Sequence, residues 1–385
     1  MNFFQNIIDL IRGKSILKIE INKNENFSKK KRVSCKKEKE LKPCKTIVTT
    51  SAGFAYSGTS TLIGFLSEFD NVMVFGNCDK VYSKNQKRGG YETRWFIHSG
   101  FFDLTDSFLS NNLIEADMAI KLFVRQIYRA YKNKSLLSWD KATHFYNDNF
   151  LKANLEYLKN VLDFNEYDLS VLENNPIPPK FNSMTDKTYE NCSFMQEKGV
   201  NQYLFYRFKN ISKEEFDDYT NKYLTSLFAQ FKGRDIVVFD KIIRLDEHKK
   251  INYFMKDKPI KQICFLRDPR DEFLSTYRFS YKKAEPLTSS AREWIDYYKG
   301  KASTLFENKD ENILILKFED FVFNYDKVAN EIMNFLELKE ENHIAPKTIF
   351  EPEISKVNIG AWKYFIDQDL MKQIGEELSE YCYNS

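Results

Sequence analysis

From Asp235 to Leu338 the chain alternates short apolar runs with amphipathic ones, and this order constrains the fold more than any other feature. "DIVVFDK", "IKQICFL" and "NILILKF" carry apolar residues without period-two alternation, whereas "EHKKINYFMKD", "PRDEFLSTYRFSY" and "DKVANEIMNFLEL" have helical spacing. Strands that are apolar on both faces and separated by helices belong to a parallel sheet covered on both sides. An earlier strand is expected over Thr46–Ser51, a helix from about Ser60 to Phe69, and a further strand in "NVMVFG". Helical periodicity returns over Leu113–Tyr131, Phe150–Leu162 and Glu214–Phe231, and the Pro- and Asn-rich stretch from Glu173 reads as a long loop. The expected fold class is therefore α/β: a three-layer fold with a central parallel sheet flanked by helices, plus a largely helical insertion over about 103–233.

The 385 residues, 42% of them hydrophobic, suffice for such a core. A net charge of +3 makes no case for nucleic acid as a partner. Six cysteines without a C-x-x-C pair read as free thiols of a reducing compartment. Four histidines without ligand spacing predict no metal site. No apolar run spans a bilayer and the first residues lack a signal peptide's charged region and cleavage site, so the expected location is cytoplasmic.

Residues 1–43 read as an N-terminal amphipathic helix, with Phe3, Phe4, Ile7, Ile8 and Ile11 on one face, and a basic linker; the main domain is expected over 44–385. Residues 1–45 suit peripheral contact with an anionic membrane surface. They equally suit a helix packed on the domain and a solvated linker, the reading that Asp9, Glu38 and Glu40 favour slightly.

Between the first strand and its helix lies "SAGFAYSGTSTL". Gly53 and Gly58 are spaced as in a phosphate-cradling loop, which gives the fold its P-loop-like character, but Thr59, followed by Ser60, stands where the lysine is expected. Backbone N–H groups and the helix N-terminus supply the anion cradle. The missing lysine argues against an ATP-dependent phosphotransferase, as does "VVFDK", where Lys241 follows the nearest candidate magnesium carboxylate, Asp240.

"SGTSTLIGFL" is similar to the 5′-phosphosulfate loop of sulfotransferases, [KR]-[ST]-G-T-[ST]-x-L, and "RDPRDEFLS" (267–275) resembles their 3′-phosphate motif, R-[ND]-P-[RK]-D-x-x-x-S. Read from the residues alone, Asp268 caps the helix, Pro269 opens it, and Arg267 stands at the carboxyl end of a parallel strand, where open α/β sheets bind ligands. Ser275 lies two turns on, able to share one anion with Arg267. "SKVNIGAWK" partly resembles the late R-K-G-x-x-G-x-W-K segment: Lys356, Gly360, Trp362 and Lys363 fit, whereas Ser355 and Val357 depart from it.

The resemblance implies 3′-phosphoadenosine 5′-phosphosulfate as donor and adenosine 3′,5′-bisphosphate as product. Tyr56, Ser57, Gly58, Thr59, Ser60, Arg267, Ser275, Lys356, Gly360, Trp362 and Lys363 would then be nucleotide-binding. It also implies sulfuryl transfer to a hydroxyl, with in-line geometry and a general base. Glu92, in "YETRWFIHSGFF", resembles the glutamate of glycan-type members; that makes it the first candidate base and a sugar or glycoconjugate the expected acceptor. His98 is the second candidate and Asp103 the third. Tyr56 replaces the cation that the family places against the phosphosulfate bridge, so Lys84, Lys87, Arg88 or Lys241 would have to supply charge, or activity is reduced. The alternative is a non-catalytic nucleotide-binding or membrane-peripheral protein that retains the fold.

Overall fold

The computed structural model describes residues 45–50, 57–75, 100–132, 148–163, 206–229, 234–283 and 290–383. Tyr56, Glu92 and His98 lie outside these residues, as do Gly53, Lys84, Lys87, Arg88 and the whole of 1–44.

Five strands form one parallel sheet: β1 (Thr46–Thr50), β2 (Val72–Phe75), β5 (Ile236–Phe239), β6 (Ile260–Leu266) and β7 (Ile313–Lys317), in the order β2-β5-β1-β6-β7. β1 is central, with β5 on one side and β6 on the other. The chain leaves β1 through helix α1 (Thr59–Leu66) toward β2, while β6 and β7 lie on the opposite side. That reversal at the carboxyl end of β1 is where open α/β sheets form their ligand crevice.

Between β2 and β5 the described residues are mostly helical: α2 (Phe102–Ser110), α3 (Leu113–Lys132), α4 (Asp148–Val161) and α5 (Lys213–Ala229). A two-residue antiparallel ladder, β3 (Leu162–Asp163) with β4 (Arg207–Phe208), joins them. After β5 come α6 (His248–Phe254), α7 (Pro269–Lys283), α8 (Ala291–Asn308), α9 (Phe318–Phe323), α10 (Tyr325–Leu336), the short α11 (Pro352–Ser355) and α12 (Gln368–Glu377).

Successive strand residues enter different cores, which explains their continuous apolarity. Ile47 packs with Phe123, Tyr157 and Phe216 of the helical insertion, while Val48 packs with Leu62 and Phe65 of α1. Likewise Phe265 joins the α1 side, and Cys264 and Leu266 join Trp294, Tyr298 and Met371. Tyr325, Val328, Ala329, Ile332, Met333 and Leu336 of α10 are buried at helical spacing, as an amphipathic helix on a sheet requires. No helix among the described residues is long and apolar enough to cross a membrane.

Candidate functional site

The loop enters α1 through Gly58, whose φ of 98° is left-handed and explains why the helix begins at Thr59, one residue earlier than its apolar spacing suggests. A Cβ built on Gly58 would lie 2.4 Å from Cδ2 of Phe318. Only a glycine allows the backbone to run this close to that ring. Thr61 caps the turn, its hydroxyl donating to the Gly58 carbonyl at 2.5 Å. Ser57 and Thr59 are buried, and Ser60 is exposed. The first N–H groups of a helix have no intrahelical acceptor, so this turn offers donors toward the carboxyl edge of the sheet.

Arg267 follows β6 at the same edge. It is buried, and one terminal guanidinium nitrogen (Nη1) donates to Ser275 Oγ at 3.0 Å while the other (Nη2) donates to the Asn358 carbonyl at 2.5 Å. The Ser275 hydroxyl in turn donates to the Asp271 carbonyl at 2.9 Å. The guanidinium carbon stands 5.3 Å from the centre of the Phe318 ring. Phe318 is thus a wall common to Gly58 and Arg267. Tyr298 fixes the backbone here by donating to the Arg267 carbonyl at 2.9 Å. Asp268 caps the first turn of α7, its Oδ1 accepting from the Arg270 N–H at 2.9 Å.

The late segment closes over this edge. Asp271 accepts from the N–H groups of Gly360 at 2.7 Å and Trp362 at 2.9 Å. Its carboxylate is therefore committed to the segment. The Trp362 ring lies 3.8 Å from the guanidinium carbon of Arg270, which Asp268 holds through two further hydrogen bonds. Lys356 is paired with both oxygens of Glu353 at 2.7 Å and lines a shallow groove with Tyr325 and Lys347; Lys363 is exposed.

From the other flank of β1, β5 delivers Asp240 and Lys241 to the same edge. Lys241 has φ 58°, and the next N–H, of Ile242, donates to Thr49 Oγ1 at 3.3 Å, pinning this turn to the strand that carries the loop. Asp240 is a residue that sequence reasoning considered only for magnesium. Its place one residue past a strand beside the loop strand is the signal that could have found it. Asp103 is exposed in the first turn of α2.

Two carboxyls beneath Arg267 are displaced from their ordinary range. Burial pushes Glu319 up to about 7, although its Oε1 accepts from the Asp268 N–H at 2.8 Å. Burial raises Glu272 well above the usual carboxylate value, against the pull of the Arg267 charge.

Residues 241–356 match the family model described as "Sulfotransferase domain". The match covers 116 of the 385 residues, so it is this part of the chain that resembles a sulfotransferase domain. Within the matched part lie Lys241, Arg267, Ser275 and Phe318; the glycine loop and the Gly360–Lys363 turn lie outside it. Among solved structures, the chain is similar to the sulfotransferase domain from the Synechococcus PCC 7002 olefin synthase, with 11% identity, 92% of this chain and all of that one covered (100%), and a TM-score of 0.38. The sulfotransferase from Alicyclobacillus acidocaldarius shows 11% identity, 83% and 98% coverage, and a TM-score of 0.31. The sulfotransferase domain from the curacin biosynthetic pathway shows 11%, 88% and 98%, with a TM-score of 0.37. No curated protein matches the chain.

Proposed function

We propose that this protein transfers the sulfuryl group of 3′-phosphoadenosine 5′-phosphosulfate to a hydroxyl of a sugar or glycoconjugate. The observation that carries the donor reading is the Arg267–Ser275 pair: a buried guanidinium and a hydroxyl, joined at 3.0 Å at a strand end, have the chemistry to share one phosphate. The Gly58 turn supports it from the other side, since a nucleotide's second phosphate group needs a close backbone approach and free N–H donors. In the reading offered here Arg267 and Ser275 hold the 3′-phosphate, and Ser57, Gly58, Thr59 and Ser60 the 5′ side. Gly360, Trp362, Lys356 and Lys363 form the cover.

The bound donor supplies an activated sulfuryl group whose bridging oxygen leaves with adenosine 3′,5′-bisphosphate. The acceptor hydroxyl loses its proton to a general base as its oxygen bonds sulfur and the bridging S–O bond breaks. We assign the base to Glu92, with His98 second, and give Tyr56 a neutral hydrogen bond to the leaving oxygen. Lys241 is the described cation on the flank of β1 that can add the charge Tyr56 lacks. Positioning and charge do most of such catalysis, because the transition state is loose.

A second reading, a nucleotide-binding or membrane-peripheral protein of the same fold without transferase activity, is favoured by Tyr56 and by the basic N-terminal stretch. Calorimetry with adenosine 3′,5′-bisphosphate against ATP plus magnesium tests the donor. Binding of the bisphosphate alone is expected, and its silence would overturn the proposal. A labelled sulfate-transfer screen over glycans then separates the two readings, since only the first predicts transfer.

A further inference from the structure

Glu272 and Thr276 stand one turn apart on one face of α7. Glu272 is fully enclosed and Thr276 is 2% exposed. Neither carboxyl oxygen of Glu272, nor the Thr276 hydroxyl, has a hydrogen-bond partner among the described residues. Buried polar atoms are nearly always satisfied, and leaving one unpaired costs about 1–3 kcal/mol. A helical threonine commonly falls back on the carbonyl one turn earlier, and this one does not. Three polar atoms on one turn with no partner among the described residues call for a further group.

Their position says which group. The charges that act on Glu272 come from Arg267 after β6, Lys241 after β5 and Glu319 after β7, and the Tyr298 phenol of α8 feels the Glu272 carboxyl in return. Two residues separate α7 from β6, so Glu272 in its first turn stands at the carboxyl edge of the sheet, the edge at which the neighbouring β1 also ends.

We propose that the Glu272 carboxyl and the Thr276 hydroxyl form a subsite that hydrogen-bonds an oxygen of the nucleotide's phosphate chain. The inference rests on the donor reading above. An ionised carboxyl would repel a phosphate, so the subsite works only while Glu272 keeps its proton. Burial and Glu319 favour that state over the opposing pull of Arg267 and Lys241. A carboxylic acid donates one O–H without adding charge, and it would stand beside a loop that carries Tyr56 in place of a cation.

The test is calorimetric titration of adenosine 3′,5′-bisphosphate into the full chain, in paired buffers of different ionisation heat. It runs from about pH 7.5, where phosphate monoesters with a second pKa near ~6 are ionised, to about pH 9.5. Wherever the free carboxyl is ionised in this range, the wild-type chain is expected to take up a proton on binding, with Kd rising as pH rises. Glu272→Gln keeps a donor but cannot ionise, so it should bind with no such uptake and a flat profile. Thr276→Val should weaken binding a few-fold, by roughly one neutral hydrogen bond, and keep the uptake. Wild-type slope and uptake persisting in Glu272→Gln would overturn the subsite while the donor reading stands, as would unchanged affinity in Thr276→Val. No binding by the wild type would overturn the donor reading and the subsite together. Should Glu272→Gln fail to fold, the Thr276→Val affinity still decides.

Discussion

The backbone of Gly58 passes so close to Phe318 that a Cβ at position 58 would overlap the ring at 2.4 Å, and the same ring lies under Arg267. One aromatic side chain thereby sets the spacing between the glycine loop and the strand-end arginine. Gly58→Ala combines a left-handed φ with this clash and should destabilise the fold by about 1–3 kcal/mol. Bisphosphate affinity should fall by at least about tenfold, the equivalent of ~1.4 kcal/mol. Thermal unfolding and calorimetry measure the two effects. Adding Phe318→Ala relieves the clash but not the backbone strain, so the double variant should recover the fold only in part.

Arg267→Lys keeps the charge but not the fork that reaches Ser275 and Asn358 together. Losing a charge-assisted hydrogen bond costs about 1.5–3 kcal/mol, so bisphosphate binding should weaken by roughly ten- to more than a hundredfold. Ser275→Ala should cost less, about tenfold or below. Equal binding by wild type and Arg267→Lys would remove Arg267 from the nucleotide site.

Transfer kinetics test the base, with Asp240, one residue past β5, as the described carboxylate for comparison. With Glu92 as the base, Glu92→Gln should lower kcat by about 10²–10⁴ and leave bisphosphate binding intact. Asp240→Asn should have a smaller effect on kcat. The reverse order of effects would move the role to the strand-end residue.

Glu319 carries a stability prediction with a definite sign. Its carboxyl is pushed up from the ordinary 4.5 to about 7 by burial, so the folded chain holds a proton that the unfolded chain has released between these values. The favourable contribution is present below about pH 4.5 and lost as pH rises through about 7. The loss is about 3 kcal/mol at most, at 1.36 kcal/mol per unit. Unfolding midpoints of wild type against Glu319→Gln, followed from pH 4 to 8, should show that difference disappear in the variant.

Asp271 is the latch of the late segment, since it accepts from Gly360 and Trp362 together. Asp271→Ala should free the turn without unfolding the sheet. Limited proteolysis near Lys363 and a change in Trp362 fluorescence measure this, and an unchanged cleavage rate would contradict it.

The parallel sheet was legible because strands buried on both faces cannot alternate, and the Arg267–Ser275 pair because a strand end and two helical turns fix their separation. Phe318 was not legible: it sits in an apolar run, and nothing local says that its ring meets a glycine 260 residues earlier. Asp271 is claimed by two backbone N–H groups some ninety residues later. Glu272 is marked out only by its enclosure. Each of these depends on a contact distant in sequence, which local pattern does not encode.

Glu68, just past α1, is almost fully buried and accepts from His343 at 2.8 Å and from the N–H groups of Lys347, Ile349 and Phe350 at 3.1, 2.8 and 2.9 Å. The loop helix and the segment leading to the cover are therefore one mechanical unit, bolted by this carboxylate together with the Asp70–Asn342 bonds and the Phe69–His343 stack. Trimming the chain from its C-terminal end past His343 would not shorten a tail. It would strip four bonds from the rear of the glycine loop and leave a buried charge without its counterparts.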